Sequence, residues 1–350
     1  IDFTPFYAES GGQTGDMGYI FAGENRFQVD DTQKIKAKVF SQFGEMVSGS
    51  LKVGDAVTAQ VDSALREASM RNHSATHLMH RALREVLGTH VEQKGSLVNA
   101  ERTRFDFSHT QPVTSAQLAE VERRVNQAIV ANVPVCAQNM SFDDAIAAGA
   151  MALFGEKYGD EVRVLSMGEF STELCGGTHV ARTGDIGLFK IVSESGIAAG
   201  VRRIEAVTGL NALQYVQQQE DLLKAAVVEV KAQTAEDLVP KLQSMHSQMK
   251  QLEKALSEAR TELAKHACSA LLAQAQAVGT ARLILNQIDA DSSALRDIAA
   301  DLVSQGENIV VVLAAVNDGK IAVTAGISKA LSKTVKAGEL VNYVAAQVGG

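Results

Sequence analysis

The chain has 350 residues, of which 46% are hydrophobic and 21% charged, enough apolar material for two or three domain cores and too much for a disordered or collagen-like chain. Its 33 basic and 41 acidic residues leave a formal charge of −8, which argues against coating nucleic acid through overall field and confines any such contact to local clusters. The longest apolar run, Ile309 to Val316, has eight residues where a membrane helix needs about 20, and the opening IDFTPFYAESGG lacks the basic and apolar regions of a secretory leader.

Residues 1–62 are glycine-rich, with short alternating stretches such as Ile35 to Phe40 bounded by turn signals at Gly11-Gly12, Gly23-Glu24-Asn25 and Val53-Gly54-Asp55. This pattern predicts a small β-barrel. From Ser63 to Leu87 the period becomes helical and stops at Gly88, which puts His73, His77 and His80 on one helix. A second helix is predicted for Ser115 to Asn132. Between Val133 and Thr208, strand-like runs (Val133–Gln138, Glu161–Met167, Gly187–Val192, Val201–Val207) alternate with a short helix at Phe142–Ala148, an α+β domain over 63–209.

Residues 210–277 read as helix. Leu238, Leu242, Met245, Met249, Leu252, Leu256, Ala259 and Leu263 keep a 4,3 spacing, the seam of a coiled coil on the order of 55 Å long, with Asn211–Ala232 as the expected antiparallel partner. Residues 278–350 then predict a small terminal α/β subdomain: strand Arg282–Ile288, helix Ser292–Ser304, strand Asn308–Val316, a turn at Asn317-Asp318-Gly319, strand Lys320–Ala325 and a helix from Gly338. The fold class is thus α+β. The absence of an initiating methionine and the closing Gly349-Gly350 point to a piece of a longer protein.

Three cysteines, Cys136, Cys175 and Cys268, lie far apart in a sequence without export signals, so thiols in a reducing cytoplasm are expected rather than disulfides. His73 and His77, four residues apart on a helix, place two imidazoles where both can reach one ion. Cys175-Gly176-Gly177-Thr178-His179 adds a thiolate and a third imidazole on a turn that two glycines can tighten. A His73, His77, Cys175, His179 set suits zinc better than calcium or magnesium. Ser74 stands where a His-Glu-x-x-His protease needs its glutamate base, which excludes that chemistry. Four protein ligands ordinarily make a closed structural site, so catalysis would require a loosened ligand or an expanded shell.

These two motifs, together with Thr4 to Gln13 (TPFYAESGGQ) and Gly196 to Ala206 (GIAAGVRRIEA), resemble the editing portion of the bacterial alanyl-tRNA synthetase family, and the likeness runs over the whole chain. It implies an editing domain followed by the family's C-terminal domain, with the class II aminoacylation domain lying outside this chain. The activity implied is hydrolysis of the ester that joins serine or glycine to the 3′ adenosine of tRNA for alanine. An alanine pocket discriminates against such near-isosteres by only about 10 to 200-fold. The resemblance makes His73, His77, Cys175 and His179 the zinc site, the metal either polarising the ester or positioning water and substrate.

It also places Gln93 in the editing pocket, with Thr76 and Ser96 as nearby hydroxyls able to read the substrate, and Arg202 and Arg203 on a strand where one faces pocket or tRNA. His80 is expected to pack or support a ligand, and Gly11-Gly12-Gln13 to belong to the barrel beside the pocket. The partners implied are tRNA for alanine, the upstream aminoacylation domain, and a second copy through the C-terminal domain. Two other readings stay open: a free-standing deacylase, and a tRNA-binding and dimerisation module with a structural zinc.

Overall fold

The computed structural model describes residues 1–36, 39–151, 159–317 and 319–347, and they fall into two compact units, 1–222 and 223–350. In the first unit, β1 (Gly18–Ala22), β2 (Asn25–Lys36), β3 (Val39–Ser48) and β4 (Thr58–Val61) form one antiparallel sheet in the order β3-β2-β1-β4. This corrects the predicted barrel. β3 pairs only with β2 and β4 only with β1, so the sheet keeps two free edges. The apolar side chains Phe40, Phe43 and Val47 of β3 stand exposed instead of lining a closed interior.

Helix α1 (Ser63–Leu87) has the predicted bounds. Asp62 caps it, its Oδ1 accepting from Leu65 N at 3.0 Å, and Gly88 ends it. Every residue from Asn72 to His80 is buried, so the helix is enclosed on all sides and the mid-helix histidines lie inside the protein. Its apolar positions Leu78, Met79 and Leu83 pack with Val121, Val125 and Ile129 of α2 (Ser115–Val130) and with Phe105 and Phe107 of β6 (Thr103–Ser108). β6 lies between β5 (Gln93–Val98) and β11 (Val201–Thr208) in an antiparallel sheet closed at its far edge by β10 (Phe189–Ala198). Gln93 opens β5.

A smaller antiparallel sheet joins β7 (Val135–Ser141), β8 (Glu161–Met167) and β9 (Ser171–Leu174), with α3 (Phe142–Ala147) following β7. β9 feeds directly into Cys175, and this hairpin brings the Cys-Gly-Gly-Thr-His turn to α1. The unit's core is continuous from α1 and α2 to Phe189 and Ile204. Helix α4 (Gly209–Val230) begins here.

In the second unit α5 (Leu238–Ala273) forms over the predicted span. Within this unit its heptad positions Leu242, Met245, Met249, Leu252, Leu256 and Leu263 are 46–71% exposed. The heptad spacing matches where the helix runs. β12 (Gln276–Val278), β13 (Ala281–Gln287), β14 (Ile309–Asn317) and β15 (Lys320–Ile327) form a sheet in that order, with β13 and β14 parallel and joined through α6 (Ser292–Ser304). Leu295, Ile298 and Leu302 of α6 share a core with Ile284, Val311 and Leu313. The continuous apolar run of β14 follows from this covered, central position. Helix α7 (Ala337–Gln347) completes the described chain; Asp318 of the predicted turn, Gly349-Gly350 and the side chain of Cys268 lie outside the described residues.

Because one side-chain oxygen of Asp62 satisfies the open N-terminus of α1, Asp62→Ala is expected to lower the stability of the first unit by about 1 kcal/mol and Asp62→Asn to restore most of it, read from urea unfolding monitored in that unit.

Candidate metal centre

His73 and His77 project from adjacent turns of α1, and Cys175 and His179 reach the same point from the loop after β9. One ligand atom of each lies within 4.8 Å of the other three. Cys175 Sγ stands 3.2 Å from His179 Nε2 and 3.5 Å from His73 Nε2. A tetrahedral zinc with metal–ligand distances of about 2.0–2.3 Å gives edges of roughly 3.3–3.6 Å, so the spacing fits. The other ring nitrogen of each histidine is engaged elsewhere: His73 Nδ1 on Gln13 Oε1 at 2.8 Å, His77 Nδ1 on Glu173 Oε2 at 2.6 Å, His179 Nδ1 on Ser74 Oγ at 3.1 Å. Three Nε2 atoms are thereby turned toward one point. His77 Nε2 is buried without a hydrogen-bond partner, the state expected of a metal ligand drawn without its metal.

The glycines divide in their roles. A Cβ on Gly177 would lie 2.1 Å from His73 Cε1, so that position needs glycine for close approach, whereas Gly176 has open space around it. Arg163 holds the loop in place: its guanidinium donates to Cys175 O at 3.1 Å and Gly177 O at 2.6 Å, while its own carbonyl accepts from Cys175 N at 3.0 Å.

The centre opens into a cavity of about 390 Å³. Thr76, Gln93 and Ser96, all predicted, line it. Thr76 Oγ1 is occupied by Asn72 O at 2.8 Å and Thr103 Oγ1 at 2.6 Å, whereas the polar side-chain groups of Gln93 and Ser96 have no hydrogen-bond partner among the described residues. His80 also lines the cavity, only 2% exposed, with Nδ1 3.3 Å from Glu173 Oε1. Arg202 and Arg203 do not line it: they are committed to Glu194 at 2.6 Å and, in a two-pronged pair, to Asp106 at 2.7 and 2.8 Å.

Glu173, Ser74 and Arg163 escaped the sequence reading as supporting groups. Glu173 carried a signal, since a carboxylate two residues before a metal cysteine shares its face of an extended strand. Ser74 registered only as a missing glutamate.

The electrostatics are those of a cation site. Burial raises the Glu173 carboxyl, but His77 and His80 overcome it and bring it down to about 2. Burial likewise raises the Cys175 thiol, and His73, His77 and His179 hold it well below the ordinary thiol range. His179 is pushed down to about 3 by burial and by His73. Burial lowers His77, yet the facing Glu173 and Cys175 charges carry it up to about 10. Below that pH the metal-free His77 is protonated, and a metal must displace its proton, while Cys175 is already ionised. Zinc affinity, measured by chelator competition, is therefore expected to climb by roughly tenfold per pH unit from pH 7 to near 10, without the levelling near pH 8.5 that completion of an ordinary thiol ionisation would give.

Residues 162–205 match the family model described as the threonyl and alanyl tRNA synthetase second additional domain, a span that takes in all but the first residue of β8, together with β9 and the Cys175 loop. Residues 1–65 match the model of class II (A) tRNA synthetases, which corrects the expectation that the class II domain lies wholly outside this chain. Curated relatives include the alanine–tRNA ligases of Neisseria meningitidis serogroup C, 66% identical over 350 residues, Neisseria gonorrhoeae, 65% over 350, and Delftia acidovorans, 56% over 351. All of this chain is covered in each case, against 40% of each relative. The chain is thus homologous over its whole length to alanine–tRNA ligases and belongs to their family, spanning about 40% of the length of these relatives.

Proposed function

We propose that this chain, acting in the cytoplasm, hydrolyses the ester joining a wrongly attached serine or glycine to the 3′ end of tRNA for alanine. The observation that carries the reading is the His73, His77, Cys175, His179 cluster opening into a polar cavity whose Gln93 and Ser96 are unengaged among the described residues. At about 390 Å³ the cavity falls in the range of small-molecule sites, roughly 300–1,000 Å³. A zinc ion held by the four ligands would supply a Lewis acid for the ester or a fixed point for water and substrate.

The chain's own groups supply selection. A site that hydrogen-bonds a seryl hydroxyl leaves that group unpaired when alanine enters, and so rejects alanine more firmly than a purely apolar pocket could. Gln93 and Ser96 take that role here. Thr76, whose hydroxyl already serves Asn72 and Thr103, shapes the wall. Among the described residues Lys34 and Arg163 are the lysine and arginine lining the cavity, and we assign them to the phosphates of the tRNA end in place of Arg202 and Arg203. Attachment of alanine with ATP belongs to the whole protein in this reading.

Four protein ligands favour a second reading, a tRNA-binding module with a purely structural zinc. Serine release from seryl-tRNA for alanine separates the two, with alanyl-tRNA as control and bound zinc quantified. The editing reading predicts selective release, reduced roughly tenfold or more in Gln93→Ala and Ser96→Ala with zinc content unchanged. No release from folded, zinc-loaded chain would give the structural reading the field.

A further inference from the structure

Gln13 reaches the centre from a different part of the chain than the four ligands. It lies in the loop before β1, is fully buried, and spends both lone pairs of its amide oxygen and one amide N–H on the centre. Its Oε1 accepts from His73 Nδ1 at 2.8 Å and from the backbone N–H of Thr178 at 2.9 Å, and its Nε2 donates to Thr178 Oγ1 at 2.7 Å. The backbone N–H of Thr178 can only donate, so the atom facing it must be the amide oxygen. The same oxygen therefore takes the Nδ1 proton of His73, which leaves the Nε2 lone pair for a metal.

The loop that delivers Gln13 is fixed independently. Val98 N donates to Gly12 O at 2.7 Å and Thr14 N to Val98 O at 2.9 Å, adding the loop to the edge of β5. Gly12, at φ +85°, passes so close that a Cβ there would lie 2.8 Å from Ser96 O. Four residues further on, Asp16 is clamped by the guanidinium of Arg66 on α1. These anchors do not involve the Gln13 side chain. Its amide joins one ligand on α1 to the backbone of the loop that carries Cys175 and His179, on the side of the His73 ring away from the Cys175 sulfur.

We infer that Gln13 is a positioning residue of the metal centre: it fixes the tautomer and ring orientation of His73 and sets the Cys175–His179 loop against it, so that the segment before β1 is part of the site. The inference rests on the metal reading above. It has a direct consequence for chemistry, since an imidazole free to turn or change tautomer presents an N–H where the ion needs a lone pair.

The test uses the full chain with Gln13→Met, which keeps the length of the side chain and removes its polar atoms, and Gln13→Glu, whose carboxylate can still accept from both N–H groups. Zinc affinity is read by chelator competition, and the ligand field by the visible spectrum of the cobalt-substituted protein, with far-UV circular dichroism of the metal-free forms to confirm folding. Gln13→Met is expected to bind zinc about 10- to 100-fold more weakly with an altered cobalt spectrum, and Gln13→Glu to recover most of both. Should Gln13→Met not fold, Thr178→Val, which removes only the acceptor of the amide N–H, is expected to show weaker binding in the same assay. Unchanged affinity and an unchanged cobalt spectrum in a folded variant would overturn the inference. Failure of the wild-type chain itself to bind zinc would instead overturn the metal reading on which it stands.

Discussion

Three imidazoles and a thiolate crowded within 4.8 Å in a largely buried site form an arrangement that only a cation, or a set of displaced protons, can stabilise. Much of the first unit's internal polar structure follows from that constraint. Three histidines need three Nδ1 acceptors, and the chain draws them from three places: Gln13 before the first sheet, Ser74 on the helix itself and Glu173 on the strand before the cysteine. Each acceptor spends buried polarity on aiming a ring rather than on packing. The apolar core of α1, α2 and the four-stranded sheet carries the stability that such a polar interior does not.

Elements governed by local signals were legible in the sequence. Helix α6 kept its bounds at Ser292–Ser304 and strand β8 at Glu161–Met167, because caps, apolar periodicity and run length all agreed there. α1 was legible for the same reason, and with it the shared face of His73 and His77. Joining that pair to Cys175 and His179 depended on residue chemistry, since no local pattern states that β9 ends beside α1. The pairing is a tertiary fact, made by the β8–β9 hairpin and by Arg163 gripping two carbonyls of the loop.

What stayed hidden depended on long-range pairing. β5 and β6 were missed because Gln93–Val98 and Thr103–Ser108 are short and interrupted by glycine and charge, and gain their strand character from pairing with each other and, for β6, with β11. The barrel expectation failed at closure, which is a property of strand edges that alternation cannot report. The α5 heptad shows the same limit from the other side: the spacing set the helix, and Leu242, Leu252, Leu256 and Leu263 of its seam are exposed. Among the site residues, Thr76, Gln93 and Ser96 line the cavity, while Arg202 and Arg203 are bound in cross-strand ion pairs, as alternation on a strand cannot say which carboxylates sit opposite.

The central claim is that these four side chains bind one metal through three imidazole nitrogens and one sulfur. X-ray absorption at the zinc edge of the loaded chain tests it most directly. The account predicts one sulfur at about 2.3 Å and three nitrogens at about 2.0–2.1 Å, with the sulfur contribution lost in Cys175→Ala. A shell of nitrogen and oxygen without sulfur in the wild-type protein would contradict it.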